Sequence, residues 1–163
     1  MHLTIMRHGE AGSATSDRLR QLTPRGHIEV TNGCGVLDDV LGTRALPPVS
    51  ALYYSSWERT AQTAQIARGR LAPAVFEDSA ALIPGSGIAA VDALLTPLMD
   101  VQAHVLLVSH QPLVSSLVQY YLGSSRVPGL WPGAWVCMDL AVASGNCAQL
   151  ECWAMPPSFE VQA

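Results

Sequence analysis

Arg7-His8-Gly9-Glu10 follows directly on an apolar run, Leu3-Thr4-Ile5-Met6. The arginine brings a rigid fork of donors suited to phosphate oxygens. The histidine, neutral near pH 7, brings a nucleophilic nitrogen. Side by side at a strand end, the pair suggests phosphoryl transfer through a histidine. Two more segments repeat the arrangement. Leu52-Tyr53-Tyr54 runs into Ser55-Ser56-Trp57-Glu58-Arg59-Thr60-Ala61-Gln62-Thr63, which puts Arg59 in the first turn of the next helix. Val105-Leu106-Leu107-Val108 runs into Ser109-His110-Gln111-Pro112. Taken singly, Arg59 reads as a solvated helix residue and His110 as a helix cap or a satisfied core histidine. Their recurrence at three strand ends is what points to a site.

Such a site needs parallel strands, whose C-terminal tips share one rim where open α/β sheets bind ligands and helix N-termini favour anions. The chain supplies them. Apolar runs of strand length at 2–7, 51–55, 73–77, 104–109, 135–142 and 148–153 alternate with helical segments. Those begin at the Thr23-Pro24 cap and run to Leu41, then cover 58–70, 86–100 and 112–122. Gly33 and Gly35 weaken the first of these helices. The turn-rich Ala143-Ser144-Gly145-Asn146 joins the last two strands into an antiparallel hairpin at one edge. The chain from Pro156 reads as irregular. The pattern predicts an α/β three-layer αβα sandwich with a mostly parallel central sheet, in a single domain over residues 1–163.

Composition narrows the function. The formal net charge is −4, charged residues make up 13%, and all nine basic residues are arginine. That excludes a clustered basic surface for nucleic acid and disfavours an anionic membrane. An anion site here must be built from arginine, histidine and backbone N–H groups. No apolar stretch is long enough to span a bilayer, and the N-terminus lacks a signal-peptide pattern. Cys34, Cys137, Cys147 and Cys152 show neither C-x-x-C nor zinc-finger spacing, which suggests free thiols and a cytoplasmic location. No carboxylate cluster has metal-ligand spacing, so no metal or cofactor is expected.

With these residues in view, the chain resembles the histidine phosphatase superfamily and its phosphoglycerate-mutase-like fold. Arg7-His8-Gly9-Glu10 matches the signature of its first strand. Ser55 to Thr63 is similar to the Ser-Pro-x-x-Arg-Ala-x-Gln-Thr element, with Ser56 in place of proline, and Val108-Ser109-His110 to the second histidine motif. Asp17-x-x-Arg20-x-Leu22-Thr23-x-x-Gly26 and Leu82-Ile83-Pro84-Gly85 resemble motifs of the small SixA-type phosphohistidine phosphatases, although Gln21 stands where proline is usual. Only residues 73–103 lie where larger branches carry inserted helices.

The resemblance implies a metal-independent hydrolase in which His8 is the nucleophile and Arg7, Arg59 and His110 hold the phosphoryl oxygens, His110 as imidazolium. It implies as substrate a histidine-phosphorylated protein, either a phosphotransfer domain or a phosphocarrier of a signalling relay. Arg20 lines the mouth or sits on the surface. Trp57 meets a partner or packs in the core, and Trp131 and Trp135 are candidates to edge the cleft. Ser86 and Gly87 stand where an acidic residue is common, and Glu10, Glu77, Asp78 and Asp92 have no assignable role as acid. A missing acid favours P–N over P–O cleavage, because a protonated phosphohistidine releases a neutral ring. A small-molecule phosphomonoesterase and a non-catalytic module binding phosphate or phosphoproteins are the alternatives.

Overall fold

Apolar residues alternate along the strands, and this sorts the chain into layers. In the computed structural model, which describes residues 1–163, the strands are β1 (His2–Arg7), β2 (Ala51–Tyr54), β3 (Val75–Asp78), β4 (His104–Ser109), β5 (Trp135–Leu140) and β6 (Ala148–Ala154). They form one sheet in the order β3-β2-β4-β1-β5-β6. β1 to β4 run parallel, and β5 runs antiparallel to both β1 and β6. The result is a mostly parallel sheet with an antiparallel C-terminal edge hairpin.

The helices are α1 (Pro24–Thr43), α2 (Glu58–Leu71), α3 (Ile88–Leu95) and α4 (Leu113–Leu122). Leu3, Ile5, Val105 and Leu107 turn to one face, where they pack with Val91 and Leu95 of α3 and Leu117 of α4. Met6, Leu52, Leu106 and Val108 turn to the other, against Val30 and Leu37 of α1 and Ala64 and Ala67 of α2. These two buried clusters are the cores of a three-layer αβα sandwich.

Pairing levels the strand tips. Arg7 lies opposite Ser109 and Tyr54 opposite Val108, so the chain leaves β1, β2 and β4 at one edge of the sheet. α1 starts where expected: the Thr23 hydroxyl accepts the Gly26 N–H at 3.0 Å, with Pro24 at the first helical position.

Some boundaries differ from the sequence reading. α1 runs unbroken through Gly33 and Gly35. Room at Gly33 admits the Phe159 ring, which a Cβ there would meet at 2.7 Å. The tail after Pro156 is therefore not merely irregular: Phe159 is 4% exposed and Gln162 bridges to Trp153. The helix expected over 86–100 is α3 followed by a 3-10 turn, Thr96–Leu98, because Pro97 cannot continue the hydrogen-bond ladder. Two further 3-10 turns, Asp17–Leu19 and Ala80–Leu82, were not anticipated.

Candidate active site

At the end of β1, the His8 N–H donates to the Ser109 carbonyl at 3.1 Å and the Gly9 N–H to Thr63 Oγ1 at 3.1 Å. The His8 side chain is buried, and its Nδ1 lies 2.7 Å from the Gly9 carbonyl. A carbonyl can only accept, so Nδ1 carries the proton and Nε2 carries the lone pair. Arg59 Nε–H donates to that Nε2 at 3.0 Å. Burial pushes the imidazole down to about 4, and the guanidinium groups of Arg59 and Arg7 push the same way. At pH 7 His8 is neutral, with its lone pair on Nε2 and facing Arg59.

Arg59 is 5% exposed. Its Nη1 donates to the Asp17 main-chain carbonyl at 2.7 Å and its Nη2 to Asp17 Oδ2 at 3.3 Å. Its guanidinium carbon lies 5.1 Å from the Trp57 ring centre. Arg7 Nη1 donates to the Leu130 carbonyl at 2.9 Å. Burial lowers the pKa of both arginines, yet a guanidinium stays charged in proteins.

His110 is 3% exposed, its ring 5.1 Å from that of His8 and 5.5 Å from that of Trp57. Its Nε2 lies 2.8 Å from Ser55 Oγ. That oxygen also takes the Trp57 N–H at 3.4 Å; where the hydroxyl donates to His110 Nε2, the ring's proton lies on Nδ1. Burial, reinforced by His8 and Arg59, pushes His110 down to about 3. Without an anion beside it, His110 is held toward its neutral form; a phosphate dianion there would pull the other way, toward the imidazolium expected from the family likeness.

Two buried side-chain atoms lack a hydrogen-bond partner in the whole chain, Arg7 Nε and His110 Nδ1. Both belong to residues beside His8; Arg7 Nε–H is a donor, and His110 Nδ1 is one in the tautomer whose Nε2 accepts from Ser55. Buried polar atoms are almost always satisfied, so this pair leaves unmet hydrogen-bonding capacity beside His8. α2 and α4 begin beside the same place, and their N-terminal dipoles add positive potential.

The motif residues around Arg59 tie the site together. Thr63 Oγ1, one turn on, donates to the Arg59 carbonyl at 2.7 Å while accepting from Gly9. Gln62 Oε1 accepts the Leu22 N–H at 2.7 Å, and Thr60 Oγ1 donates to the Ser55 carbonyl at 2.8 Å. Gln111 Nε2 donates to the Leu130 carbonyl at 2.9 Å, the same oxygen that anchors Arg7. The parts of Ser55, Asp17 and Leu130 were not assigned from sequence. Ser55 stood inside a quoted motif at a strand end, a signal that was available. Leu130 acts through its main chain and left none.

Arg20 spends its donors on its own loop: Nε on the Gly12 carbonyl at 2.7 Å, Nη2 on the Ala11 carbonyl at 3.2 Å and Nη1 on Asp17 Oδ1 at 3.0 Å. Trp57 is half-buried between Arg59 and His110, as a wall of the pocket. Trp135 does not edge the cleft; it is fully buried and donates to the Gly33 carbonyl at 3.0 Å. Trp131 is 59% exposed. The other carboxylates are engaged or remote. Glu10 accepts from Thr23 at 2.8 Å, Asp92 holds the Tyr120 and Tyr121 hydroxyls at 3.1 and 2.7 Å, and Glu77 and Asp78 lie on the exposed edge strand β3. A hollow of about 300 Å3 beside His110, lined by residues of 84–88 and 110–116, contains no carboxylate. The largest hollow, about 620 Å3, lies between α1, α2 and the tail, away from every unpartnered donor. No three His, Cys, Asp or Glu side chains lie together in a metal-binding group.

The backbone and these tips define the class. The protein histidine phosphatase SixA, in complex with tungstate, superposes with a TM-score of 0.83 at 28% identity, over 98% of this chain and 100% of that one. A protein from Nakamurella multipartitia assigned as the phosphohistidine phosphatase SixA superposes with a TM-score of 0.71 at 25% identity, over 99% of this chain and 95% of that one. An alpha-ribazole phosphatase from Shigella flexneri shares the fold at 20% identity, with a TM-score of 0.66 over 93% and 95% of the two chains. No family model matches the sequence, and no curated protein matches it. This chain has the phosphoglycerate-mutase-like fold of the histidine phosphatase superfamily. Within the superfamily its likeness is to the SixA-type branch.

Proposed function

We propose that the protein is a phosphatase that removes phosphate from a phosphorylated histidine of a partner protein, through a covalent phosphohistidine on His8. The observation that carries this reading is the His8 Nδ1–H held on the Gly9 carbonyl, which leaves Nε2 as the lone-pair nitrogen beside Arg59. In the first step the Nε2 lone pair forms a bond to phosphorus and the bond from phosphorus to the leaving group breaks in line. Arg59, Arg7 Nε–H and His110 Nδ1–H donate to the phosphoryl oxygens as charge spreads over them.

In the second step water attacks phosphorus and the P–N bond to His8 breaks. His8 leaves with its pair on Nε2 and its proton already on Nδ1, as a neutral imidazole that needs no acid. Water's proton goes to orthophosphate. The same logic favours a P–N bond in the substrate. A substrate phosphohistidine protonated on its second nitrogen also leaves neutral, whereas an alkoxide wants a carboxylic acid. Here Glu10 and Asp92 are tied up elsewhere and Asp17 is held ionised by the Arg20 and Arg59 guanidinium groups. Leu19 and Trp131, 55% and 59% exposed, stand on the two loops that grip Arg59 and Arg7.

The test compares turnover of a histidine-phosphorylated phosphotransfer protein with that of common phosphomonoesters. A higher kcat/KM on the phosphoprotein is expected. Faster turnover of esters would make this a small-molecule phosphomonoesterase, and phosphate binding without turnover would make it a binding module. His8→Ala should lower hydrolysis by at least about a thousandfold and abolish an alkali-stable, acid-labile phosphoenzyme. Unchanged activity would remove His8 as nucleophile.

A further inference from the structure

Asp17 sits at the tip of a strap formed by residues 11–22. The strap's neck is closed by the Ala11–Leu22 bridge and by the Gly12 N–H on the Gln21 carbonyl at 2.9 Å. Arg20 binds the neck carbonyls and also holds Asp17 Oδ1 at 3.0 Å, so the tip is set over Arg59 from inside the strap. Asp17 then meets Arg59 with two unlike groups. Its main-chain carbonyl takes Nη1 in a short bond of 2.7 Å, which no side chain at position 17 can remove. Its carboxylate, 54% exposed, takes Nη2 at 3.3 Å, a long bond shared with solvent.

The edge of Arg59 left for a phosphoryl group is the fork of Nε and Nη2. Nε rests on the nucleophilic nitrogen of His8 and Nη2 on the Asp17 carboxylate. Nη2 carries two N–H bonds, so a phosphoryl group that takes the fork must share Nη2, and the single charge of Arg59, with the carboxylate. We propose that Asp17 is a built-in counter-anion, a positioning residue that competes with phosphate for the Nη2 edge of Arg59 and so sets how tightly the pocket holds phosphate and how readily it releases it. This rests on the phosphatase reading above. The main-chain bond keeps Arg59 aimed throughout. The displaced carboxylate stays close enough to repel a bound dianion and to reclaim Nη2 once the P–N bond of His8 has broken. Without it, the guanidinium groups of Arg7 and Arg59 would face orthophosphate beside His110 with no counter-charge.

Asp17→Asn keeps the size and the main chain of residue 17 and removes the charge. Titration calorimetry with inorganic phosphate is expected to show about fivefold tighter binding than wild type, the upper range for an exposed ion pair. KM for an aryl phosphate should fall with it, and kcat should stay level or fall as release slows. Asp17→Glu should return both toward wild type, a pattern that loss of structure would not give. Weaker phosphate binding with a higher KM would show that the carboxylate serves only to orient Arg59, and unchanged values would show that it does nothing; either overturns the inference while leaving the phosphatase reading intact. A wild-type protein with no phosphate affinity, measured beside Arg59→Ala, would remove both.

Discussion

The orientation of the His110 ring, and which nitrogen carries its proton, depend on a hydroxyl one residue beyond β2. A Ser55 O–H that donates to Nε2 puts the ring's proton on Nδ1, the nitrogen without a partner in the protein. His8 and His110 are both buried and neutral, pushed down to about 4 and about 3 mainly by loss of water. Orientation and tautomer, rather than charge, therefore decide what each contributes. Ser55→Ala is expected to lower kcat/KM for an aryl phosphate about tenfold, the effect of one mispositioned donor. The urea midpoint should shift by no more than about 1 kcal/mol of stability. Unchanged rates would mean that packing against Trp57 alone orients His110.

At the scale of elements, the site is held by the junction of β1 with α1 as much as by its own side chains. A Cβ at Gly26 would collide with the Glu10 carbonyl, and one at Gly9 would lie 2.7 Å from Val30 and 3.0 Å from the Gly26 carbonyl. Gly26→Ala forces backbone against backbone, so the start of α1 or the turn after His8 must move. We expect a loss of about 2 kcal/mol in urea denaturation, with falling activity because His8 sits on that turn. Gly35→Ala, in the same helix with nothing within 4 Å of its added Cβ, should instead raise stability by about 0.5–1 kcal/mol. Equal effects would show that the close approach is not what holds the junction. The contrast also explains what was legible from sequence. β1 and β4 fall at their expected limits because local apolar runs bounded by polar residues specify them. The meeting of Arg7, His8, Arg59 and His110 follows once the strands are parallel. The grip of Asp17 on Arg59 spans 42 positions and that of the Leu130 carbonyl on Arg7 spans 123. No local pattern encodes either. The break after α3 was legible in Pro97.

At the scale of the whole molecule, the sheet buries neutral histidines at both ends. His8 and His110 lie at the C-terminal tips. At the opposite end His104 is fully buried on β4, with Nδ1–H donating to the Pro47 carbonyl at 2.8 Å and Nε2 accepting from Thr4 Oγ1 at 2.8 Å. The groups facing it are His2, with ring centres 5.9 Å apart, and beyond it Glu151, 3.9 Å from His2 Nε2. Burial, helped by His2, pushes His104 from 6.5 down to about 4. An unfolded chain takes up this proton below about pH 6.5 while the folded chain refuses it until about pH 4. The unfolded state thus binds more protons throughout that window, and stability must fall as pH drops through it. Between pH 7 and pH 5 each such histidine should remove about 2 kcal/mol, 1.36 kcal/mol for every unit below the unfolded value. His104→Asn keeps a donor for the Pro47 carbonyl and cannot titrate. Urea denaturation at the two pH values should therefore show a loss smaller by about 2 kcal/mol in this variant than in wild type. Whatever the substitution itself costs cancels, because the comparison is between slopes. Equal slopes would mean that His104 takes up its proton in the folded state as readily as in the unfolded one, and the acid sensitivity would then belong to His8 and His110 at the other end of the sheet.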